Sequence, residues 1–242
     1  MKSTAPLQTI CKACGKLHPI EPSQFPPGVL ELLQYDNGLI WSKDLIGHCW
    51  RNRAEPADYP GAMADLKAAF SKLNAQSKVL TVGSMSPWIE AICEAQFQIV
   101  VTDVHPIRIF DNSLLSYFPP DVAYNPDGGY DLIIAYSSIE HFGLGRYGDD
   151  LDPDADKKWM RMIRDCIAPG GRLLLAVPLG PVGKVEECWH RIYGPVELAA
   201  LLEGWKIDSI TRAGRKFDNP PFEVTPGMLP WQNQPLLSLE AV

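Results

Sequence analysis

The sequence predicts an α/β protein with a mostly parallel sheet flanked by helices, on three observations. Leu132-Ile133-Ile134-Ala135 and Leu173 to Val177 are short continuous apolar runs, the pattern of strands buried on both faces. Between them, Trp159, Met160, Ile163, Cys166 and Ile167 mark the apolar side of a helix that Pro169-Gly170-Gly171 ends. Strand, helix and strand in that order make a right-handed crossover between parallel neighbours. The first strand stops abruptly in Ser137, Ser138, Glu140 and His141. Polar groups just past the carboxyl end of a buried strand lie where open α/β sheets keep their ligands.

Composition limits what the chain can do. With 242 residues, 46% hydrophobic and 21% charged, one large domain with a full core is expected. The net charge of -7 and the lack of a basic stripe argue against nucleic acid as partner and leave a small-molecule or sugar substrate open. No apolar run approaches the ~20 residues of a bilayer span. The first residues hold no apolar signal core, so a cytoplasmic protein without a membrane partner is expected. The 6 cysteines are scattered, apart from Cys11 and Cys14, and read as reduced thiols.

Taken in order, residues 1–60 form an N-terminal extension rich in Pro and aromatics, expected to pack on the main domain or cover its cleft. Cys11-Lys-Ala-Cys14-Gly15 has the spacing of half a zinc ribbon, with His18, His48 and Cys49 as the only nearby completing ligands. A turn with two thiols is the simpler reading, and Cys11 and Cys14 stay weak metal candidates. A short helix is expected at Leu30 to Leu33. The main domain spans 61–229. It opens with a helix after Pro60-Gly61, where Met63, Leu66, Phe70 and Leu73 recur at helical spacing. Lys78 to Val82 is a strand ending at Gly83, and a helix runs from Trp88 to Phe97 behind Pro87. Strand, glycine turn and helix N-terminus together make a cradle for a nucleotide. Gln98 to Thr102 is the second strand, and Asp103 stands 20 residues past Gly83 (103 − 83), the spacing at which a carboxylate meets ribose hydroxyls. Ile107, Phe110 and Leu114 hint at a helix, and a short third strand is expected near Val122 to Tyr124. Pro195 to Leu202 reads as a helix and Trp205 to Thr211 as a strand, with Phe222-Glu223-Val224 as the last strand. Residues 230–242 read as a tail.

The order of these signals resembles a class I S-adenosylmethionine (SAM)-dependent methyltransferase. VLTVGS stands as first strand and turn, Asp103 ends the second, YDLIIAYSSIEH is the fourth, and IAPGGRLLLAVP leads into the fifth. More closely, VGSMSPWIEA, SSIEHFGLGRYGD and HRIYG resemble domain-of-unknown-function family 268, a methyltransferase-like group, over about residues 78–215. The resemblance implies a Rossmann-like fold with a seven-stranded, mostly parallel sheet and SAM as cofactor. Gly83, Ser84 and Met85 would line the methionine and ribose of SAM, Asp103 would hold the ribose, and Ser137, Ser138 and Glu140 would border the transferred methyl. The usual glycine-rich loop is reduced to one Gly.

Methyl transfer asks the protein to position donor and acceptor and to take a proton from a hydroxyl acceptor. His141 is the first candidate base, because an imidazole with a pKa of ~6.5 suits that work. His190, in the loop after the fifth strand, is the second. Arg146 or Arg191 could grip a carboxylate or phosphate on the acceptor. Tyr193, in the same HRIYG stretch, joins them on the substrate side. Asp150, Asp152, Asp154 and Asp156 alternate like a calcium loop, but Ala155 replaces its turn glycine, so a helix cap at Asp154 or Asp156 is the better reading. Three functions follow: a SAM-dependent methyltransferase acting on a small molecule or glycan, a non-catalytic methyltransferase-like binding module, and, weakest for want of G-x-G-x-x-G, an NAD-dependent oxidoreductase.

Overall fold

The computed structural model describes residues 8–10, 12–15, 17–19, 39–41, 43–52, 59–71, 73–84, 86–93, 98–103, 107–109, 115–124 and 129–242. Its strands in chain order are β1 (Gln8–Ile10), β2 (Leu17–Pro19), β3 (Leu39–Trp41), β4 (Lys78–Val82), β5 (Gln98–Thr102), β6 (Ile107–Ile109) and β7 (Leu115–Tyr117). There follow β8 (Tyr130–Tyr136), β9 (Ile167–Ala176), β10 (Lys184–Glu186), β11 (His190–Ile192), β12 (Trp205–Arg212), β13 (Arg215–Lys216) and β14 (Leu236–Ala241). The helices are α1 (Lys43–Asn52), α2 (Ala62–Phe70), α3 (Trp88–Cys93), α4 (Pro120–Ala123), α5 (Ala155–Asp165) and α6 (Pro195–Leu201).

The central sheet has the order β13-β12-β14-β9-β8-β4-β5-β7. From β7 to β9 every neighbour is parallel, and β14 runs antiparallel between β9 and β12. Among the described residues this sheet has eight strands rather than the expected seven, with the two-residue β13 at one edge. Continuous apolar runs bury both faces. Leu132 and Ile134 join one cluster with Trp41, Leu45, Ile46, Leu66 and Ile89 from the preceding strand and helices. Ile133 and Ala135 point the other way, into a second cluster with Met160, Ile163, Leu198 and Leu201 of α5 and α6. The result is three layers, helix on sheet on helix, with strand residues alternating between the two cores.

Several expectations are corrected. Leu236, Leu237 and Leu239 of the expected tail are buried in β14, inside the sheet. Phe222-Glu223-Val224 forms no strand. The third parallel strand is Leu115–Tyr117, not Val122 to Tyr124, which lies on and just after α4. Ile107 is in a strand that pairs with Leu39–Trp41, not in a helix; Phe110 and Leu114 lie outside the described residues. Through that pairing and α1, which packs on α3, residues 39–52 share the core of the sheet. Pro169-Gly170-Gly171 falls inside β9: Ile167 pairs with Tyr130 and Arg172 with Leu132, so the turn is looped out of the ladder. The Leu30 to Leu33 expectation lies outside the described residues.

Candidate active site

A cleft opens at the carboxyl ends of β4, β5 and β8, with an empty volume of ≈ 890 Å³ that includes its mouth. β4 is flanked by β5 on one side and β8 on the other, so Gly83, Asp103 and Ser137 emerge side by side from three adjacent strands. All three line the cleft, as do Ser84, Ser138 and His141. Met85 lies outside the described residues.

Gly83 has φ 74, a left-handed turn that glycine takes without strain. Its N–H donates to the Thr102 carbonyl at 2.8 Å, which ties the turn to the second strand. A Cβ at this position would lie 2.5 Å from the Ser138 Cβ, so the bare backbone is what lets the two tips approach. Aromatic rings wall the cleft. Tyr59, Trp88 and Tyr136 form one group, with ring centroids 5.1 to 6.3 Å apart. Trp159 packs against Tyr124 at 4.8 Å and Phe142 at 5.0 Å to form the other. Sequence reasoning missed Tyr59, Trp88, Tyr136 and Tyr124 as site residues. Tyr136, ending β8, and Trp88, opening α3, carried a positional signal, because both stand where strand tips face ligands.

Glu140 is buried behind Ser137 and does not line the cleft. Ser137, a non-glycine residue at φ 49, donates its hydroxyl to Glu140 Oε1 at 2.8 Å and accepts from Gln234 Nε2 at 3.0 Å. Burial, only partly offset by the Ser137 hydrogen bond, pushes the Glu140 carboxyl up to about 7. His141 is pushed the other way, down to about 3, first by burial and then by the Arg146 charge. Its Nδ1 meets the Trp189 carbonyl, which fixes Nδ1–H as the donor and leaves Nε2 with the lone pair. At neutral pH the ring is therefore uncharged.

The remaining candidates serve the walls. His190 lies outside the cleft lining, with Nε2 3.1 Å from Glu186 Oε2. Arg191 does not reach the cleft: its guanidinium donates to the carbonyls of Glu140, Phe142, Asp152 and Pro153 at 2.6 to 3.4 Å and lies 3.5 Å from Asp156 Oδ2. Tyr193 is buried, donating to Asp156 Oδ2 at 3.0 Å. Arg146 is buried over the Trp189 ring, 4.3 Å from its centroid. Arg191 thus pins the loop after β8, and Tyr193 fastens Asp156 in the first turn of α5. Asp149, missed in the sequence, organises the same loop by accepting from the N–H groups of Gly143, Gly145 and Tyr147.

The alternating acids are spent on neighbours: Asp150 pairs with Lys12, Asp152 with Lys158 and Asp154 with Lys157. Asp154 holds the N-cap position of α5 without a side-chain cap bond. Among the described residues no three His, Cys, Asp or Glu groups cluster to hold a metal ion. Cys11 lies outside them. Cys49 is buried in α1, its thiol raised to about 12 by burial and then by Glu90.

Residues 76–218 match the family described as "Caenorhabditis protein of unknown function, DUF268". No curated protein matches the chain. Solved methyltransferases share its fold at low identity. The Burkholderia thailandensis 1,6-didemethyltoxoflavin-N1-methyltransferase, crystallised with 1,6-didemethyltoxoflavin and S-adenosylhomocysteine, is 15% identical with a TM-score of 0.54, covering 82% of this chain and 85% of its own. A TehB-like SAM-dependent methyltransferase from Corynebacterium glutamicum is 14% identical with a TM-score of 0.50, covering 81% and 96%. The CcbJ methyltransferase of Streptomyces caelestis is 14% identical with a TM-score of 0.50, covering 86% and 99%.

Proposed function

Because this chain belongs to domain-of-unknown-function family 268 and has the class I methyltransferase fold, we propose that it binds SAM in the cleft and methylates a small-molecule or glycan-type acceptor. One observation supports this most: the left-handed Gly83 turn and the Asp103 strand tip stand on adjacent parallel strands and open into one aromatic-walled cleft. The residues present fit the cofactor. The Asp103 carboxylate can accept two hydrogen bonds from a vicinal diol, and the left-handed Gly83 turn lines the same cleft beside it. The rings of Tyr59, Trp88 and Tyr136 suit an adenine face or a cation.

When bound, SAM supplies a methyl group on a positively charged sulfur. The protein's part is to hold the acceptor in line, exclude water and take a proton. Ser137 stands between the cleft and Glu140. It can receive the acceptor's proton as it passes its own to Glu140, whose pKa of about 7 is matched to neutral pH. His141, held neutral, lines the cleft with Nε2 3.7 Å from Glu140 Oε1, so it borders the carboxyl that takes the proton.

Calorimetry with SAM and S-adenosylhomocysteine tests the reading. Micromolar binding is expected, weakened about tenfold or more by Asp103→Asn, which loses one charge-assisted hydrogen bond. Folded protein that releases no heat at millimolar ligand rejects it. The low basicity of His141 favours a second reading, a methyltransferase-like module that binds without catalysis. Transfer of label from SAM to any component of a cell extract would eliminate that alternative.

A further inference from the structure

Gln234 and Ser137 are 97 positions apart in sequence, yet Gln234 Nε2 lies 3.0 Å from Ser137 Oγ. The sheet register brings them together. Tyr136 of β8 and Leu236 of β14 flank Ala176 of β9, one on each side. Ser137 follows Tyr136, and Gln234 precedes Leu236 on a strand that runs the other way. Both residues therefore stand past the same end of the sheet, where the cleft opens. Asn233, fully buried, fixes the segment: its side-chain amide donates to the carbonyls of Leu179 and Pro221 at 2.9 and 2.8 Å. Ser137 itself is held at φ 49, a strained backbone for a residue with a Cβ, of the kind that functional sites retain.

The directions of these hydrogen bonds are forced. Gln234 Nε2 also lies 3.0 Å from the Trp231 carbonyl, which can only accept. That contact identifies the amide nitrogen, since a flipped amide would set oxygen against oxygen. One N–H goes to Trp231, and the other is left for Ser137 Oγ, which must accept it. The Ser137 proton then goes to Glu140 Oε1 at 2.8 Å. A hydroxyl has one donor and two acceptor sites, so one lone pair remains free on a residue that lines the cleft. We propose, on the methyl-transfer reading above, that Gln234 is a positioning residue that sets the direction of the Ser137–Glu140 relay. As the acceptor's O–H bond breaks, its proton joins Ser137 Oγ, and the proton that Ser137 held passes to Glu140. Ser137 ends as it began, and Glu140 is the net proton acceptor. Without the amide, nothing holds the Ser137 proton on Glu140, and the hydroxyl is free to donate into the cleft instead.

The test reads Glu140 directly and needs no acceptor. Carboxyl-13C glutamate labelling of the full-length protein gives its titration by NMR, with the signal assigned by its loss in Glu140→Gln. The charged and titratable groups around Glu140 are His141, Arg146, Tyr147, Arg191 and Tyr193, and the variants leave all of them in place. Gln234→Met keeps the length of the side chain and removes the donor. Ser137 then donates to Glu140 for only part of the time, so Glu140 should become a ~3-fold weaker acid, titrating about 0.5 pH higher. Ser137→Gly suits the left-handed φ, removes the hydroxyl and should raise the titration further. In the Ser137→Gly background, Gln234→Met should add nothing, because its effect passes through the hydroxyl. Gln234→Ala is read in the same way if Gln234→Met does not fold. An unmoved Glu140 titration in the folded Gln234 variant overturns the proposal. So does a shift of equal size without the Ser137 hydroxyl, which would make Gln234 a structural support only. Calorimetry with S-adenosylhomocysteine separates the two readings. No binding by the wild type rejects the SAM reading and leaves the titration result standing, whereas binding with an unmoved titration rejects the role of Gln234 alone.

Discussion

A β-carbon on Gly83 would come within 2.5 Å of the Ser138 β-carbon, so the glycine turn and the loop after β8 close on each other at backbone distance. Gly83→Ala therefore carries two penalties. The left-handed φ costs ~1–2 kcal/mol for a residue with a Cβ, and the clash adds to it. A lowered melting temperature and a loss of S-adenosylhomocysteine binding are expected, read by thermal denaturation and calorimetry. Adding Ser138→Gly should restore part of the stability, because it removes the clash and leaves the strained φ.

Glu90 makes stability fall with rising pH. Its carboxyl is 0% exposed in α3, and no hydrogen bond of good geometry reaches either oxygen, although the Ser84 and Thr81 hydroxyls lie close enough to moderate the effect. Burial raises its pKa from 4.5 to about 7. The folded state then holds a proton that the unfolded chain has released. The contribution is fully present below 4.5 and lost as pH rises through about 7. A shift of this size corresponds to about 3 kcal/mol. Glu140 acts with the same sign. His141, lowered to about 3, has the opposite sign, losing stability as pH falls from 6.5 through 3, and so does not act above neutrality. Urea midpoints from pH 6 to pH 8.5 should fall for the wild type and fall less for Glu90→Gln. Parallel curves would refute the assignment.

Arg191 separates a pin from a substrate grip. As a pin to four carbonyls and Asp156, it should lower stability by ~3–5 kcal/mol when changed to Met, since buried acceptors lose their donor. Arg191→Lys should recover part of the urea midpoint. Affinity of the remaining folded protein for S-adenosylhomocysteine should stay within about threefold, less than the loss of a direct hydrogen bond.

Leu237 tests the strand that the sequence presented as a tail. It is fully buried between β9 and β12, and Leu237→Ala should cost ~2–5 kcal/mol in urea unfolding. Deleting residues 236–242 should leave no cooperative transition. A cooperatively folded deletion would mean that this strand is dispensable.

What the sequence disclosed followed from periodicity and chain-local chemistry. Leu132–Ala135 of β8 and Leu173–Ala176 of β9 are buried on both faces, so their apolar runs are unbroken, and the polar break at Ser137 marks the cleft. The third strand was hidden because three residues, Leu115–Tyr117, carry no period of their own; pairing with β5 makes them a strand. Leu236–Ala241 follows proline and glutamine in a short segment, and its place is set by the gap between β9 and β12. Side chains that bind backbone were equally hidden. Arg191 and Asp149 look like substrate or surface charges until the carbonyls and N–H groups they meet are placed in space. Tyr59 joins Trp88 and Tyr136 only after the fold brings it there.

The position of β14 orders events during synthesis. β9 and β12 are both made before the strand that lies between them. Until residues 236–241 take their place, each presents an unsatisfied backbone edge to whatever is nearby, including another folding chain. The yield of soluble protein on refolding from urea should therefore fall as protein concentration rises, because chains meet edge to edge before β14 is seated.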